Sequence, residues 1–227
     1  MRTRERPHPF TFRPLTPATW ADFERLFGPR GACAGCWCTF FRFRKPEWTA
    51  GQGEVNRERQ RAYVEDGHVP GLLAYDGEAP VGWVAVEPRE RYPVVLASRT
   101  TRPDGPGRLR PSWAITCFYV ARASRGRGLV RALVDAAVAH ARACGAERIE
   151  AYPVDYEKPV GASFLYHGVR SAFAAAGFAE LARPSRTRPI MGLELTAPRA
   201  RRARPGARGR STPRTRRTRG SGAPRGR

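Results

Sequence analysis

Short apolar runs bounded by Gly, Pro and Asp alternate with longer stretches in which apolar residues recur every three or four positions. The short runs predict β-strands, and the longer period predicts amphipathic helices. The predicted strands are residues 10–15, 71–75, 81–86, 114–120, 148–152, 179–183 and 190–195. The predicted helices are residues 18–27, 54–65, 129–144 and 163–176. Residues 28–46 are predicted as a loop or short helix, and residues 88–112 as a long loop.

The order of these elements predicts an α/β fold with a mixed, mostly antiparallel central sheet flanked by helices. Antiparallel pairing comes first, because the turn Asp76-Gly77-Glu78 between two strand patterns is a strong hairpin signal. Later strands alternate with helices, which is typical of β-α-β units. Because the chain has 227 residues and is 41% hydrophobic, we expect a single domain over residues 1–196 and a tail over residues 197–227.

The strand, turn and helix between residues 117 and 150 form the most informative part of the chain. A short apolar strand runs into the Arg/Gly-rich turn 122–128, and a helix follows from Leu129. The apolar residues of that helix keep the helical period, and Gly145 stands where a glycine commonly ends a helix. The pattern predicts a glycine-rich turn that leads directly into a helix N-terminus.

Such a turn suits the binding of a phosphorylated ligand. Gly126 and Gly128 have no Cβ atom, so phosphate oxygens can approach the backbone N–H groups at the positive end of the helix dipole. Arg125 and Arg127 add charged hydrogen-bond donors. The pattern therefore predicts a pyrophosphate site, with a basic surface turn before an ordinary helix as the alternative.

The run Arg125-Gly126-Arg127-Gly128-Leu129-Val130 resembles the acetyl-CoA loop of the GNAT superfamily of N-acetyltransferases. That loop has the form Arg/Gln-x-x-Gly-x-Gly/Ala between a strand and a helix. The first and fourth positions match here, whereas Val130 stands at the sixth. Ala174-Ala175-Ala176-Gly177-Phe178 resembles the end of the next helix of that superfamily, whose signature finishes in Gly-Phe.

The resemblance covers about residues 10–195, and the element Cys36-Trp37-Cys38 with the run 183–191 is similar to one branch of the superfamily. It implies an N-acetyltransferase that uses acetyl-CoA as co-substrate and an amine of a small molecule or a protein as acceptor. The strand before the loop would bind the pantetheine arm and polarise the thioester carbonyl, as an oxyanion-type site does. The cofactor-binding residues that it implies are Cys117, Phe118, Tyr119, Val120, Arg125, Gly126, Arg127, Gly128, Leu129 and Val130.

Two residues are candidates for proton transfer in that reaction. Many members of the superfamily have a Tyr acid in the helix before Gly-Phe, but Phe173 stands at the matching position here. Tyr166 lies two turns earlier on the same predicted helix face, so it is the substitute acid, or an aromatic that packs the substrate pocket. Glu87 ends a predicted strand and is a candidate base, or else a solvated strand end before Pro88.

The cysteines leave three interpretations open. The spacing Cys33-x-x-Cys36-x-Cys38 is tight enough for three metal thiolates, but no fourth ligand follows nearby, so we expect no metal. Buried or pocket-lining thiols are the favoured interpretation, because free cysteines often behave as small apolar residues. Redox or catalytic use is the third. Cys117 and Cys144 lie in elements that are predicted to pack as core.

The charge is concentrated at the C-terminus. The chain carries a formal net charge of +21, and residues 197–227 contain 12 Arg and no acidic residue. Without large apolar residues this tail is predicted to be disordered. It would bind nucleic acid non-specifically by neutralising phosphates, or it is a solvated extension without a fixed role. The alternative function is therefore a catalytically weak or inactive acyl-CoA-binding module that the tail tethers to nucleic acid.

The rest of the composition bears on the compartment of the protein. No apolar stretch approaches the roughly 20 residues of a membrane span, so no membrane partner is expected. The N-terminal residues 1–10 contain no apolar core of a secretory signal. The odd number of cysteines, 5, favours a reducing environment. Together these features predict a cytoplasmic protein.

Overall fold

A seven-stranded sheet forms the centre of the protein in the computed structural model, which describes residues 9–101, 111–157, 161 and 165–195. The sheet order is β1-β2-β3-β4-β5-β7-β6. Only β4 and β5 pair in parallel, which confirms the predicted mixed, mostly antiparallel sheet. The strands are β1 (Phe10–Pro14), β2 (Gly71–Asp76), β3 (Ala79–Pro88), β4 (Trp113–Val120), β5 (Arg148–Ala151), β6 (Ala179–Ser185) and β7 (Arg188–Glu194).

Helices cover both faces of this sheet. They are α1 (Trp20–Phe27), α2 (Lys45–Ala50), α3 (Glu54–Glu65), α4 (Pro93–Ala97), α5 (Leu129–Ala143) and α6 (Arg170–Ala175). On one face α5 buries Leu129, Leu133 and Ala137 in the core formed with the central strands. On the other face α1 packs Phe23 and Phe27 against Trp83. None of the described helices is both long and apolar enough to cross a lipid bilayer.

The last predicted helix is shorter than its pattern indicates. Residues 163–176 were expected to be helical, but α6 begins only at Arg170 and Tyr166 lies in a turn before it. Gly168, at φ 76°, interrupts the helical path, and a Cβ atom there would lie 2.8 Å from the Phe173 ring. The prediction that Tyr166 and Phe173 share a helix face is therefore wrong. Residues 163 and 164 of the predicted helix lie outside the described residues.

Short helices occur in the segment that was predicted as a long loop and in the segment that was predicted as a loop or short helix. In the region 88–112, α4 begins with Pro93, a favoured first helical residue, and buries Val95. The region 28–46 contains a tight turn at Gly31–Gly35 and leads into α2. Residues 102–110 and the predicted disordered tail, 197–227, lie outside the described residues.

A buried ion pair links the end of β3 to β5. Arg89, directly after β3, points its Nη1 atom at both carboxylate oxygens of Glu150 on β5, at 3.0 and 3.1 Å. Tyr152 donates a hydrogen bond to the same carboxylate at 3.1 Å. The Arg89 and Glu150 side chains are only 3% and 1% exposed, so each helps to stabilise the buried charge of the other, and Arg148 adds a second cation at 3.6 Å from Glu150.

Replacing Glu150 with Gln should therefore destabilise the fold. The buried guanidinium of Arg89 would lose its countercharge, and we expect the free energy of unfolding to fall by about 3 kcal/mol in urea denaturation. Glu65→Gln is the matched control, because Glu65 pairs with Arg61 at 2.9 Å on the exposed face of α3. That change should cost no more than about 0.5 kcal/mol. Equal losses in the two variants would contradict the role given to the buried pair.

Candidate functional site

A cavity of about 620 Å³ opens where β4 parts from β5. The two strands pair only at Trp113, Ala114 and Ile115 of β4. The rest of β4, from Cys117 to Val120, forms one wall of the cavity. The other walls are the turn into α5 and the segment that follows α1, with Leu165 and Tyr166 closing one side. The site thus lies along the part of β4 that is no longer paired with β5.

The turn into α5 presents its backbone to this cavity. Gly126 and Gly128 have φ angles of 75° and 76°, a conformation that side-chain-bearing residues rarely adopt. A Cβ atom added to either glycine would meet nothing within 4 Å, so the space beside the turn is open. The N–H groups at the start of α5 lie at the positive end of its dipole, which favours a bound anion. Arg125 and Arg131 also line the cavity.

Most of the predicted cofactor-binding residues are brought together here, but Arg127 is not. The residues of that set that line the cavity are Cys117, Phe118, Tyr119, Val120, Arg125, Gly126, Gly128, Leu129 and Val130. Arg127 instead forms an ion pair with Asp76 at 2.5 Å, at the end of β2. Arg131 and Ser124 line the cavity although sequence reasoning did not select them. Arg131 follows Gly128 by three positions, which places both near the start of the same helix face.

Beyond its pairing with β5, the backbone of β4 forms hydrogen bonds with groups that do not belong to a strand. Phe118 is opposite Val84 of β3, and its N–H donates instead to the Tyr166 carbonyl oxygen at 2.6 Å. Arg125 Nε donates to the Val120 carbonyl oxygen at 3.3 Å on the same edge. These contacts show that the free edge of β4 is accessible to partners other than a strand.

Tyr166 lies in the cavity wall although it is not part of a helix. Burial raises the pKa of its hydroxyl, so the group remains protonated over the neutral range. Its ring lies 4.0 Å from the ring of His167 and 6.5 Å from that of Phe40, measured between centroids. Phe173, by contrast, is fully buried and packs against Phe118 and Phe178. Tyr166, the predicted acid, thus lies at the cavity as part of a turn and not as part of a helix.

Glu87 is held by partners behind the cavity. Its carboxylate forms an ion pair with Arg42 and accepts a hydrogen bond from the Tyr63 hydroxyl at 2.8 Å. The Arg42 guanidinium also stacks on the rings of Tyr63 and Tyr92, 4.1 and 5.1 Å from their centroids. Glu87 is only 3% exposed and is not among the residues that line the cavity. A solvated strand end is therefore the wrong description of this residue.

The segment after α1 has a constrained backbone and carries three cysteines. Ala32, Ala34, Trp37 and Cys38 all have positive φ angles, between 44° and 65°. Gly35 is required for close approach, because a Cβ atom there would lie 2.2 Å from the Gly53 backbone nitrogen. The path brings three thiols of this segment to the cavity, beside the thiol that β4 contributes: Cys33, Cys36, Cys38 and Cys117.

The thiols that line the cavity differ in the direction in which their pKa is shifted. Trp83 Nε1 donates to Cys38 Sγ at 3.0 Å. A hydrogen bond from Cys117, and then the one from Trp83, lower the pKa of Cys38 against the opposing effect of burial. The same pairing with Cys38, followed by burial, raises the pKa of Cys117. Burial and the neighbouring charge of Cys38 raise the pKa of Cys36 to about 12. Of these three thiols, Cys38 therefore loses its proton most readily.

The described residues do not support a metal centre. Their His, Cys, Asp and Glu side chains include no group of three or more that could hold a metal ion. Each of the five cysteines is a free thiol.

The solved structures to which the chain is similar include several acetyltransferases. One is described as histone acetyltransferase HPA2 and related acetyltransferase from Corynebacterium glutamicum, with 17% identity, a TM-score of 0.48, and coverage of 84% of this chain and 98% of that chain. A GNAT-family acetyltransferase from Listeria monocytogenes has 13% identity, a TM-score of 0.47, and coverage of 82% and 95%. The PaiA N-acetyltransferase from Thermoplasma acidophilum, in complex with coenzyme A, has 11% identity, a TM-score of 0.46, and coverage of 82% and 98%.

No curated protein matches the chain. The sequence pattern of the acetyltransferase (GNAT) family, however, matches residues 37–162, which is more than half of the chain. The match includes β4, the glycine turn and α5, the elements that build the cavity. The chain therefore belongs to the GNAT family of acetyltransferases.

Proposed function

We propose that the protein is an N-acetyltransferase that transfers an acetyl group from acetyl-CoA to a primary amine of a small molecule or a protein. The observation that supports this most strongly is the continuity of the cavity. One cavity is lined by the helix N-terminus at Gly128, which suits phosphates, by the free edge of β4 and by a group of aromatic side chains. A phosphorylated acyl donor fits this combination of linings.

The residues of the cavity fit acetyl-CoA. The backbone at Gly126 and Gly128 and the side chains of Arg125 and Arg131 would hold the pyrophosphate. The edge of β4 between Cys117 and Val120 would hold the pantetheine arm. The Phe118 N–H, which now donates to Tyr166, would exchange this bond for one to the ligand. When bound, acetyl-CoA supplies an activated acetyl thioester.

The other end of the cavity suits an uncharged amine. It is lined by aromatic and small apolar side chains: Phe27, Ala32, Ala34, Phe40, Phe41 and Trp48. Such surroundings disfavour an ammonium ion, so they lower the pKa of an entering amine and increase its nucleophilic fraction. The cavity itself thereby assists the loss of the proton that precedes attack on the thioester.

Tyr166 is the proposed acid for the leaving thiolate. Its place in the cavity wall and its raised pKa both support a group that is protonated before the reaction. Glu87 as the base stays a prediction, and its ion pair with Arg42 favours a structural role for it. The alternative function, a weak or inactive acyl-CoA-binding module tethered to nucleic acid, depends on the tail 197–227 and also stays a prediction.

Replacing Gly128 with Glu should weaken the binding of acetyl-CoA at least about tenfold, or ~1.4 kcal/mol. The side chain would extend into the open space beside the turn and place a negative charge where the phosphates bind. Isothermal titration calorimetry with acetyl-CoA measures the effect. Gly128→Gln is the matched control, because it imposes the same backbone strain at φ 76° without the charge. If the Glu variant binds as tightly as the native protein, the phosphate site lies elsewhere.

Replacing Tyr166 with Phe should lower kcat for acetyl transfer by about 10²–10⁴-fold, the usual contribution of a general acid. The affinity for acetyl-CoA should stay level, because the Phe118 contact involves only the backbone of Tyr166. The release of free thiol is followed over a panel of amines at saturating acetyl-CoA. A variant with native kcat across the pH range would show that Tyr166 only packs the pocket.

A further inference from the structure

Backbone strain in the described part of the chain is concentrated beside the cavity. The four residues with positive φ and a side chain that the described segments contain are Ala32, Ala34, Trp37 and Cys38. Each such conformation costs roughly 1–3 kcal/mol and persists only where the surrounding structure enforces it. Strain of this kind is typical of active sites, and here it holds a cysteine side chain against the cavity.

The strained segment places Cys38 next to the edge of β4 that is proposed to hold the thioester. Cys38 lines the cavity together with Cys117 and Phe118. Cys117 packs against the same apolar cluster that contains Cys38, so the Cys38 side chain lies beside that strand. Cys38 is 8% exposed, so its sulfur is shielded from bulk water but borders the cavity.

The groups that face Cys38 stabilise a negative charge on it. Trp83 on β3 donates its indole N–H at 3.0 Å, and the neighbouring Cys117 thiol on β4 also lowers the pKa of Cys38. The Arg42 guanidinium adds a positive charge nearby, while Glu87 opposes it at a distance. Cys36, the other neighbouring thiol, has its pKa raised to about 12 and keeps its proton. The thiolate is the nucleophilic form of cysteine, and only Cys38 in this group has its pKa lowered.

We propose that Cys38 is a catalytic nucleophile that carries the acetyl group as a thioester between acetyl-CoA and the amine. This inference rests on the proposed function, because it requires acetyl-CoA in the same cavity. It differs from direct attack of the amine on acetyl-CoA, which the resemblance implies, because the reaction is divided into two thioester steps.

In the first step the Cys38 thiolate attacks the acetyl carbonyl carbon. A new bond forms between Cys38 Sγ and that carbon, the bond from the carbon to the coenzyme sulfur breaks, and the coenzyme thiolate takes a proton from the Tyr166 hydroxyl. In the second step the amine nitrogen attacks the acetyl carbon on Cys38. The nitrogen loses a proton to the Tyr166 oxygen, and Cys38 leaves as a thiolate. No oxidant or reductant is needed, and both residues return to their starting forms.

The covalent step can be tested without an acceptor. Native protein is mixed with acetyl-CoA, quenched in acid and weighed by intact mass spectrometry. We expect one acetyl group on each protein molecule, released again by hydroxylamine, which cleaves thioesters and spares amides. Tryptic cleavage after Arg30 and Arg42 gives one peptide with Cys33, Cys36 and Cys38, and its fragment ions should place the acetyl group on Cys38.

Exchange of labelled coenzyme A into acetyl-CoA is a second readout. The native protein should catalyse this exchange without an amine, because the first step is reversible. Cys38→Ala should lose both the exchange and the acetylated peptide by at least about 100-fold, while calorimetry shows retained binding of acetyl-CoA. Cys144→Ala is the control. Cys144 is exposed at the C-terminal end of α5, whereas the N-terminal end of α5 lines the cavity, so acetylation and exchange should be unchanged.

Trp83→Phe tests the charge on Cys38 without removing the sulfur. Loss of the indole donor should raise the pKa of Cys38 and shift the rate of acetylation to higher pH, with the native rate approached once the thiolate forms. Trp20→Phe is the matched control, because Trp20 lies in the same apolar cluster and its buried Nε1 has no hydrogen-bond partner among the described residues. Its pH profile should match that of the native protein.

The outcomes separate the two proposals. If acetyl-CoA binds and amines are acetylated, but Cys38 is never acetylated and no exchange occurs, the Cys38 proposal is overturned and the proposed function stands. Acetylation that maps to Cys33 or Cys36, or that persists in Cys38→Ala, also overturns it. If calorimetry shows no binding of acetyl-CoA to the native protein, both proposals fail.

Discussion

β4 is hydrogen-bonded to β3 from Val120 back to Trp113, but it pairs with β5 only over its first three residues, Trp113 to Ile115. Past that point its outer edge carries backbone donors and acceptors with no neighbouring strand. Buried backbone groups need partners, so the turn at Tyr166 and the side chain of Arg125 bond to this edge. A ligand with amide groups of its own can replace such partners, which is why the cavity lies at this edge.

The parting of the strands also determines which elements can meet. α5 begins directly after β4, so its positive N-terminus necessarily opens at the same edge. On the opposite face α1 leads into the strained segment with Cys38, which packs against Trp83 and Cys117 across the sheet strands. The edge of β4 therefore lies between the N-terminus of α5, which is proposed to bind phosphate, and the cysteines of the strained segment.

The structure around this opening contains two buried ion pairs. Arg42 is paired with Glu87 and covered by aromatic rings, and it places its positive charge within reach of Cys38. Arg89 and Glu150 link the end of β3 to β5 on the side where the sheet is continuous. Buried charges of this kind add little net stability, but they penalise any arrangement that separates them. They thereby oppose movement of the strands whose divergence forms the site.

The sequence alone determined the elements whose signal is local. The hairpin turn at Asp76, the glycine turn and the start of α5 at Leu129 follow from backbone preference and apolar period, and the structure confirms each of them. Nine of the ten residues that the resemblance implies for cofactor binding line the cavity, because they lie close together in a strand and the turn after it.

Only the tertiary structure decided contacts between residues that are distant in the chain. Gly168 ended the helical path, so that Tyr166 reaches the cavity from a turn. Arg127 forms an ion pair with Asp76 and Glu87 forms one with Arg42, so neither Arg127 nor Glu87 lines the cavity. The meeting of Cys38 with Trp83 and Cys117 joins residues 45 or more positions apart. Local pattern cannot report such contacts, because they depend on how complete elements pack, whereas period and turn chemistry act within a few residues.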